Sequence, residues 1–323
     1  MDHLTQSKHV FKIELPTPFP VGDINVYVIK GDQLTLIDAG PKTEEAWNSF
    51  QHQLKQIGYS PKDIEQIVLT HHHPDHVGML DYFNEEIPVI GHPFNKPWLK
   101  KDQQFFRSQS MFFKELFNEF GVDRHFLPIL ESLNQQTMEY SCDRELKGFL
   151  REGEVIGGLP GWRTLETPGH AQSHLAFYEE STGILIGGDL LLKHISPNPL
   201  LEPPMTSEQI RPKPQLQLNQ SISRLLEIPI SIAYTGHGEN IEAVHELISY
   251  RLKKQAERAE LVRTFLIEKP LTAFQVCQIL FPKIYDKQLL LTMSETVGQL
   301  DYLSEAGQIS VDVTQKTHRF FAI

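Results

Sequence analysis

Four side chains of the metal-ligating kind fall within six residues of this chain: His71, His73, Asp75 and His76. They lie in the run Thr70-His71-His72-His73-Pro74-Asp75-His76-Val77-Gly78. In extended backbone, side chains two apart project to the same side, so His71 and His73 share a face while His72 points elsewhere. Pro74 is expected to keep Asp75 and His76 out of regular helix. Four such donors can form half of each of two metal sites. Imidazole with carboxylate suits zinc, with iron and manganese as competitors. The ordinary alternative, a solvated histidine tract, fits poorly with an interior position directly after the apolar run Gln66 to Thr70.

A two-metal site needs more ligands than this cluster holds. Three later residues, each at the end of an expected strand, complete the set: His170 in Thr167-Pro168-Gly169-His170, Asp189 in Gly187-Gly188-Asp189, and His237 in Gly236-His237-Gly238. A glycine beside a ligand lets the backbone turn sharply, so that the side chain enters a shared cleft. Each of these alone is an ordinary turn residue; together with the cluster they form a constellation.

With His71-x-His73-x-Asp75-His76 followed by His170, Asp189 and His237, and the Asp38 turn upstream, the sequence resembles the metallo-β-lactamase superfamily, in particular its glyoxalase II-like hydrolases. The resemblance runs from about Phe11 to Asn240. It implies that His71, His73 and His170 bind one metal, that Asp75, His76 and His237 bind the other, and that Asp189 bridges them. It implies too that Asp38 orients the cluster from behind. It also implies an α/β fold, the αββα sandwich with the metals at one edge. Branches of the superfamily with redox iron carry glutamate where this chain has His73, which favours hydrolysis; single-iron sulfur dioxygenases share much of the motif and stay an alternative.

Two divalent ions about 3.5–4 Å apart share a water and lower its pKa from about 15.7 toward roughly 7, which makes a bridging hydroxide available at neutral pH. Asp75 is the expected catalytic residue, ligating one ion and accepting a hydrogen bond that aims the nucleophile. No separate general acid stands out: His174 and His194 are near in sequence only, and they, with His72, His92 and His245, read as ordinary core or surface histidines.

The elements that must position these residues follow from patterning. Ile24, Val26 and Val28 face one way in a strand, Gly31-Asp32 marks a turn, and Leu34 to Asp38 forms a second strand. Thr43 to Ile57 is a helix with Thr43 as N-cap, an apolar face of Trp47, Phe50, Leu54 and Ile57, and Gly58 as its stop. Ile87 to Ile90, Gly161 to Thr167, Ser173 to Tyr178, Gly183 to Gly187 and Ile230 to Thr235 are further strands. The alternation of strand and helix points to a layered α/β fold. An insert, about 95–150, contains a helix from Gln103 to Phe120 with six phenylalanines, either a lid over a substrate pocket or a helix packed on more than one side. Ser196 to Pro214 is a long proline-rich loop, a class of segment that is often functional.

Residues 1–240 therefore read as the catalytic domain and 241–323 as an appended one: a long helix or two in series over Glu242 to Glu268, helices over Thr272 to Leu280 and Gln288 to Leu303, and two short strands. That order resembles the winged-helix domain appended to some superfamily members. Its third helix has no lysine or arginine and contains Glu295, Asp301 and Glu305, whereas a recognition helix brings cations to phosphate. The net charge of −11 points the same way, so nucleic acid is a disfavoured partner and a homodimer an open one. Two distant cysteines, Cys142 and Cys277, fit a reducing compartment. No run approaches the roughly 20 apolar residues of a membrane span, and no signal-peptide core is present at the start, so a cytoplasmic protein is expected. The function expected is a dinuclear metal-dependent hydrolase of a small ester, thioester or lactone. A phosphodiesterase or RNA nuclease of the superfamily and a metal-sensing regulator are the alternatives.

Overall fold

Strands Val10–Leu15 (β1), Ile24–Lys30 (β2) and Leu34–Ile37 (β3) form an antiparallel meander, and Gln66–Val68 (β4), Val89–Gly91 (β5) and Gly148–Phe149 (β6) extend it in parallel to a six-stranded sheet. A second sheet of four strands has the order β10-β9-β8-β7, with β7 Trp162–Glu166, β8 Leu175–Glu179, β9 Ile184–Gly188 and β10 Ile232–Thr235. The computed structural model describes residues 9–128, 136–206 and 210–323. The polar start of the chain (1–8), the centre of the insert (129–135) and positions 207–209 of the proline-rich loop lie outside the described residues.

Every position of β2 except its last is buried, because both faces of the sheet are covered. Ile24, Val26 and Val28 turn to one core with Phe50 and Leu54 of helix α1 (Glu44–Gln56); Tyr27 and Ile29 turn to the other, between the sheets, with Phe177, Ile186 and Tyr234. Tyr27 meets Tyr234 edge-on across that gap, ring centroids 5.4 Å apart. The outer face of the second sheet, with Ala176, Leu185 and Ala233, buries Leu218, Ile222, Val244 and Ile248 of two covering helices. The layers are helix, sheet, sheet, helix: the αββα sandwich expected from the sequence.

Helix α1 has the boundaries its sequence gives it. Thr43 caps it by accepting a bond from the Ala46 N–H, and Gly58, at φ 89°, turns the chain away. Pro74 departs from expectation. Pro74–Val77 (α2) is a helical turn with the proline at its first position, where the missing N–H is not needed and φ is already helical. Asp75 and His76 thus stand on a helical turn, not in irregular backbone.

After the short α3 (Lys96–Leu99), the insert helix α4 (Gln103–Glu119) is covered on two sides. Phe105 and Phe106 pack toward the first core, while Leu116, Phe117 and Phe120 enter a core built mainly from the C-terminal segment. That segment comprises α6 (Val244–Glu268, one helix), α7 (Ala273–Leu280), α8 (Leu289–Glu305) and the hairpin β11–β12 (Ile309–Asp312, Arg319–Ala322); α5 is Pro214–Arg224. Insert and C-terminal helices share one core because the aromatic residues of α4 are too many for one face.

Phe117, buried at 1% exposure in that shared core, is expected to cost about 3–5 kcal/mol when truncated to alanine, whereas Met111→Ala on the exposed side should stay within about 0.5 kcal/mol. Urea unfolding monitored by tryptophan fluorescence checks both.

Candidate metal centre

All seven residues of the expected constellation converge at one edge of the two sheets, on the loops and turns that follow β4, β7, β9 and β10. His71 Nε2, His73 Nδ1 and His170 Nε2 form one group, with the first two 2.9 Å apart and the last two 3.1 Å apart. Asp75, His76 and His237 form a second, in which His237 Nε2 lies 3.3 Å from Asp75 Oδ2. Asp189 stands between them: its Oδ2 is 3.4 Å from His170 Nε2 and 3.6 Å from His237 Nε2, and its Oδ1 is 3.6 Å from His76 Nε2.

The outer nitrogens of four of these histidines are tied down, which decides what the inner ones offer. Asp38 accepts the Thr70 N–H at Oδ1 (2.8 Å), and at Oδ2 both the Thr70 hydroxyl (2.7 Å) and His76 Nδ1–H (2.8 Å). With its one proton given to Asp38, the Thr70 oxygen accepts from His71 Nδ1–H at 3.0 Å. His170 Nδ1–H donates to the Asn198 carbonyl and His237 Nδ1–H to that of Asp23, each at 2.9 Å. Anchoring Nδ1–H in this way fixes the ring orientation and turns Nε2 toward the cleft, where it can offer its lone pair once it holds no proton of its own.

Several polar atoms facing that cleft have no partner. His76 Nε2, His237 Nε2 and Asp189 Oδ1 are buried with no hydrogen-bond partner among the described residues, a condition that costs roughly 1–3 kcal/mol per group when nothing compensates it. In the first group His71 Nε2 and His170 Nε2 both face His73 Nδ1, which carries at most one proton, so one of the two is left without a donor. A cation in each group satisfies them all, and the absence of thiolate makes zinc, iron or manganese the fitting kinds.

Electrostatics separate the two groups. Burial pushes His71 and His73 well below the ordinary imidazole range, with neighbouring histidines adding to the shift; burial lowers His170 as well. Burial opposes the cation at His76 and His237 too, but Asp189 and the other carboxylates outweigh it and raise both. Burial likewise disfavours the ionised forms of Asp75 and Asp189, yet the facing imidazoles hold both acids below the usual carboxylate range.

Two glycines make the convergence possible. Gly169 has φ 139°, and a Cβ there would overlap the Leu218 nitrogen; a Cβ on Gly236 would overlap Asp189 Oδ1. Sequence reasoning missed several neighbours. His174 is a core histidine, as expected, but its Nε2 accepts the Asp189 N–H at 3.1 Å while Nδ1 faces Thr167 Oγ1 at 2.8 Å, so it holds the Asp189 turn. His72 is buried, bonded to Ser173 Oγ at 2.8 Å and stacked on Trp98 at 4.1 Å. Glu202, buried in the proline-rich loop, lies 3.7 Å from His72 Nε2 and joins His72 and His73 in a third cluster of donors. Only the proline-rich composition pointed toward it. His194 is exposed beside Glu239, His245 bonds carbonyls of Leu225 and Ile228, and His92 meets Arg151, all away from this centre.

The family model described as the metallo-beta-lactamase superfamily matches residues 19–237. "Probable metallo-hydrolase YqjP" of Bacillus subtilis (strain 168) is 50% identical over 297 residues, 92% of this chain and 92% of that protein. Among solved structures, the metallo-beta-lactamase family protein TTHA1429 from Thermus thermophilus superposes with TM-score 0.82 at 27% identity, covering 98% of this chain and 99% of that one. A beta-lactamase domain protein from Burkholderia ambifaria, at 21% identity and TM-score 0.79 over 98% of this chain and 93% of its own, shares the fold.

Two outcomes are expected of metal binding. Asp38→Ala, which removes the acceptor of three hydrogen bonds, should weaken zinc affinity by about 10–100-fold in a chelator competition. The pH dependence should differ between the groups. His76 and His237, with raised pKa values, must shed protons to ligate, so zinc added to the group they form with Asp75 would weaken as pH falls from 8 to 6, by up to about tenfold per unit for each proton taken up. Zinc added to the group His71, His73 and His170, whose imidazoles burial keeps neutral, would persist there to lower pH. In the metal-free protein the same raised groups contribute stability below their unfolded pKa that is lost as pH rises through the folded one.

Proposed function

We infer the function from one premise: the chain belongs to the metallo-beta-lactamase superfamily. We propose that it is a metal-dependent hydrolase with two divalent ions, zinc first among the candidates, acting on a small ester, thioester or lactone. The observation that carries this is Asp189, whose carboxylate stands within 3.4–3.6 Å of nitrogens from both donor groups. His71, His73 and His170 would hold one ion, Asp75, His76 and His237 the other, and Asp189 both. A relative named as a probable metallo-hydrolase supports hydrolysis as the reaction.

When bound, such a pair of ions supplies Lewis acidity toward a carbonyl oxygen and lowers the pKa of a water to near neutrality. The chain's own residues do the rest. Asp75, kept ionised by His76 and His237, can accept a hydrogen bond from the attacking water and fix its direction. The Thr70–Asp38–His76 network keeps the donor rings from turning as substrate enters. Water adds to the carbonyl carbon, the C–O or C–S bond breaks, and the products are an acid and an alcohol or thiol.

A small acyl substrate is favoured over nucleic acid. Helix α8, third of the C-terminal helices we read as a winged-helix-like module, has no lysine or arginine, and eleven of its 17 residues are buried. Both cysteines are free and buried, which suits the reducing cytoplasm we propose as its place.

The test sets thioester, ester and lactone panels against phosphodiester and RNA substrates. Turnover is expected on the acyl panel, abolished by chelation and restored by zinc. Turnover confined to phosphodiesters sinks the acyl reading. Asp189→Ala should lose at least one of two zinc equivalents and lower kcat/KM by about 10²-fold or more; full metal content with full turnover would falsify its bridging role.

A further inference from the structure

The proline-rich loop runs from the metal centre to α8 and is fastened at both ends. At the near end, the Asn198 carbonyl accepts His170 Nδ1–H at 2.9 Å. Four residues on, the buried Glu202 accepts the N–H of Gln172 at 3.1 Å, two positions after His170, and faces His72. The same short strap is bonded to α8: Asn198 Nδ2 donates to the Leu291 carbonyl and the Leu201 N–H to Ser294 Oγ, both at 3.0 Å. The Leu201 side chain is buried in the core that α8 shares with the insert helix. Beyond the strap, Arg211 makes a two-pronged pair with Asp301 (2.8 and 2.5 Å) and Lys213 meets Glu305 at 2.7 Å. Positions 291, 294, 298, 301 and 305 advance by three and four residues, so they form one face of the helix. At Gly298 a Cβ would come within 2.9 Å of Gln215 Cβ, so that face lies flat against the start of α5.

We propose that this face of α8 is a positioning element of the metal centre. It clamps the strap Asn198–Glu202, and the strap sets the ring orientation of His170 and closes the side of the cleft next to His72. Asn198 and Ser294 are positioning residues: neither is one of the donors, and each acts through the backbone it holds. On this view the C-terminal segment contributes a wall of the site, not a separate binding module. The inference rests on the reading of His170 as a ligand.

The test uses full-length protein loaded with zinc and follows release to a chromogenic chelator. Asn198→Ala removes the bond to α8 but leaves the carbonyl that His170 uses; Ser294→Ala removes the acceptor for Leu201. The parent should release two equivalents in resolved phases. The double variant should release one of them about tenfold faster, the low end for partners that orient a ligand, with the other unchanged. Lys213→Ala, at the far end of the loop, should match the parent. The thermal midpoint of the metal-free protein separates positioning from general loosening, and should change little in the single variants, which carry the same comparison if the double variant fails to fold. Parent rates in variants that fold, or equal acceleration of both equivalents, overturn the proposal while leaving the metal reading intact. A parent that takes up no zinc overturns both.

Discussion

Asp38 sits at the end of β3 with φ 59°, one of two non-glycine residues with positive φ among those described. Such a conformation costs of order 1–3 kcal/mol and persists only where its surroundings enforce it. Here the enforcement is specific. The Asp38 N–H bonds the Val68 carbonyl at 2.9 Å and the Ala39 N–H bonds the His76 carbonyl at 2.7 Å. The left-handed turn aims the carboxylate across the end of β4, where it takes two protons from Thr70 and one from His76. A single buried acid thereby orients one imidazole directly and a second, His71, through the threonine oxygen. The parallel register that pairs Ile37 with Val68 is what makes this reach possible, since a shift by one residue would send Asp38 to the other side of the sheet.

The rest of the centre repeats that logic with different anchors. Outer nitrogens are held by a side chain at His71 and His76, and by backbone carbonyls of distant segments at His170 and His237. Backbone acceptors cannot rotate away, so those two rings are only as well placed as the chain around Asn198 and Asp23. The β10 turn is well secured: Asn25 N–H bonds the Gly236 carbonyl at 2.7 Å, and Asn25 Nδ2 and Tyr27 OH both bond the Thr235 carbonyl. Among the described residues no strand pairs with the Asn198 strap, and its bonds run to α8 and, through Glu202, to Gln172. The two donor groups also differ in charge. One consists of neutral imidazoles kept so by burial, the other of imidazoles and acids that stabilise each other's ionised forms, so the site is asymmetric before any ion enters.

The legibility of this arrangement in the sequence follows the range of its interactions. The cluster from His71 to His76 was readable because four donors are adjacent in the chain, and the two-residue period of extended backbone separates His72 from its neighbours. Helix α1 was readable because its cap, face and stop are all local. Pro74 misled because proline has two meanings in a helix, breaker inside and favoured first residue, and only the position of the turn decides between them. Glu202 left no signal beyond the proline-rich loop around it, since a lone acid in a loop is ordinary, and the carbonyls of Asn198 and Asp23 left none, since every residue has a backbone oxygen. The insert gave a partial answer: the number of aromatics required more than one covering surface, but nothing local identified the C-terminal helices as the second.

The same helices show why an acidic α8 is compatible with a well-packed fold. Asp301 and Glu305 face Arg211 and Lys213 from the proline-rich loop, and Glu295 faces Arg258 of α6. The missing cations of α8 are thus supplied by its neighbours, and each charge the sequence shows along it meets a partner in the chain, Asp301 buried and Glu305 at the surface. Of the three pairs, that of Arg211 is the most enclosed and two-pronged, the geometry in which an ion pair fixes direction as well as distance. A helix arranged in this way has its polar capacity satisfied internally. Releasing counterions from a phosphate backbone requires unpaired cations on an exposed face, and α8 has none of its own to give. Its chemistry suits a spine that holds a loop in place, and the loop it holds is the one that reaches His170.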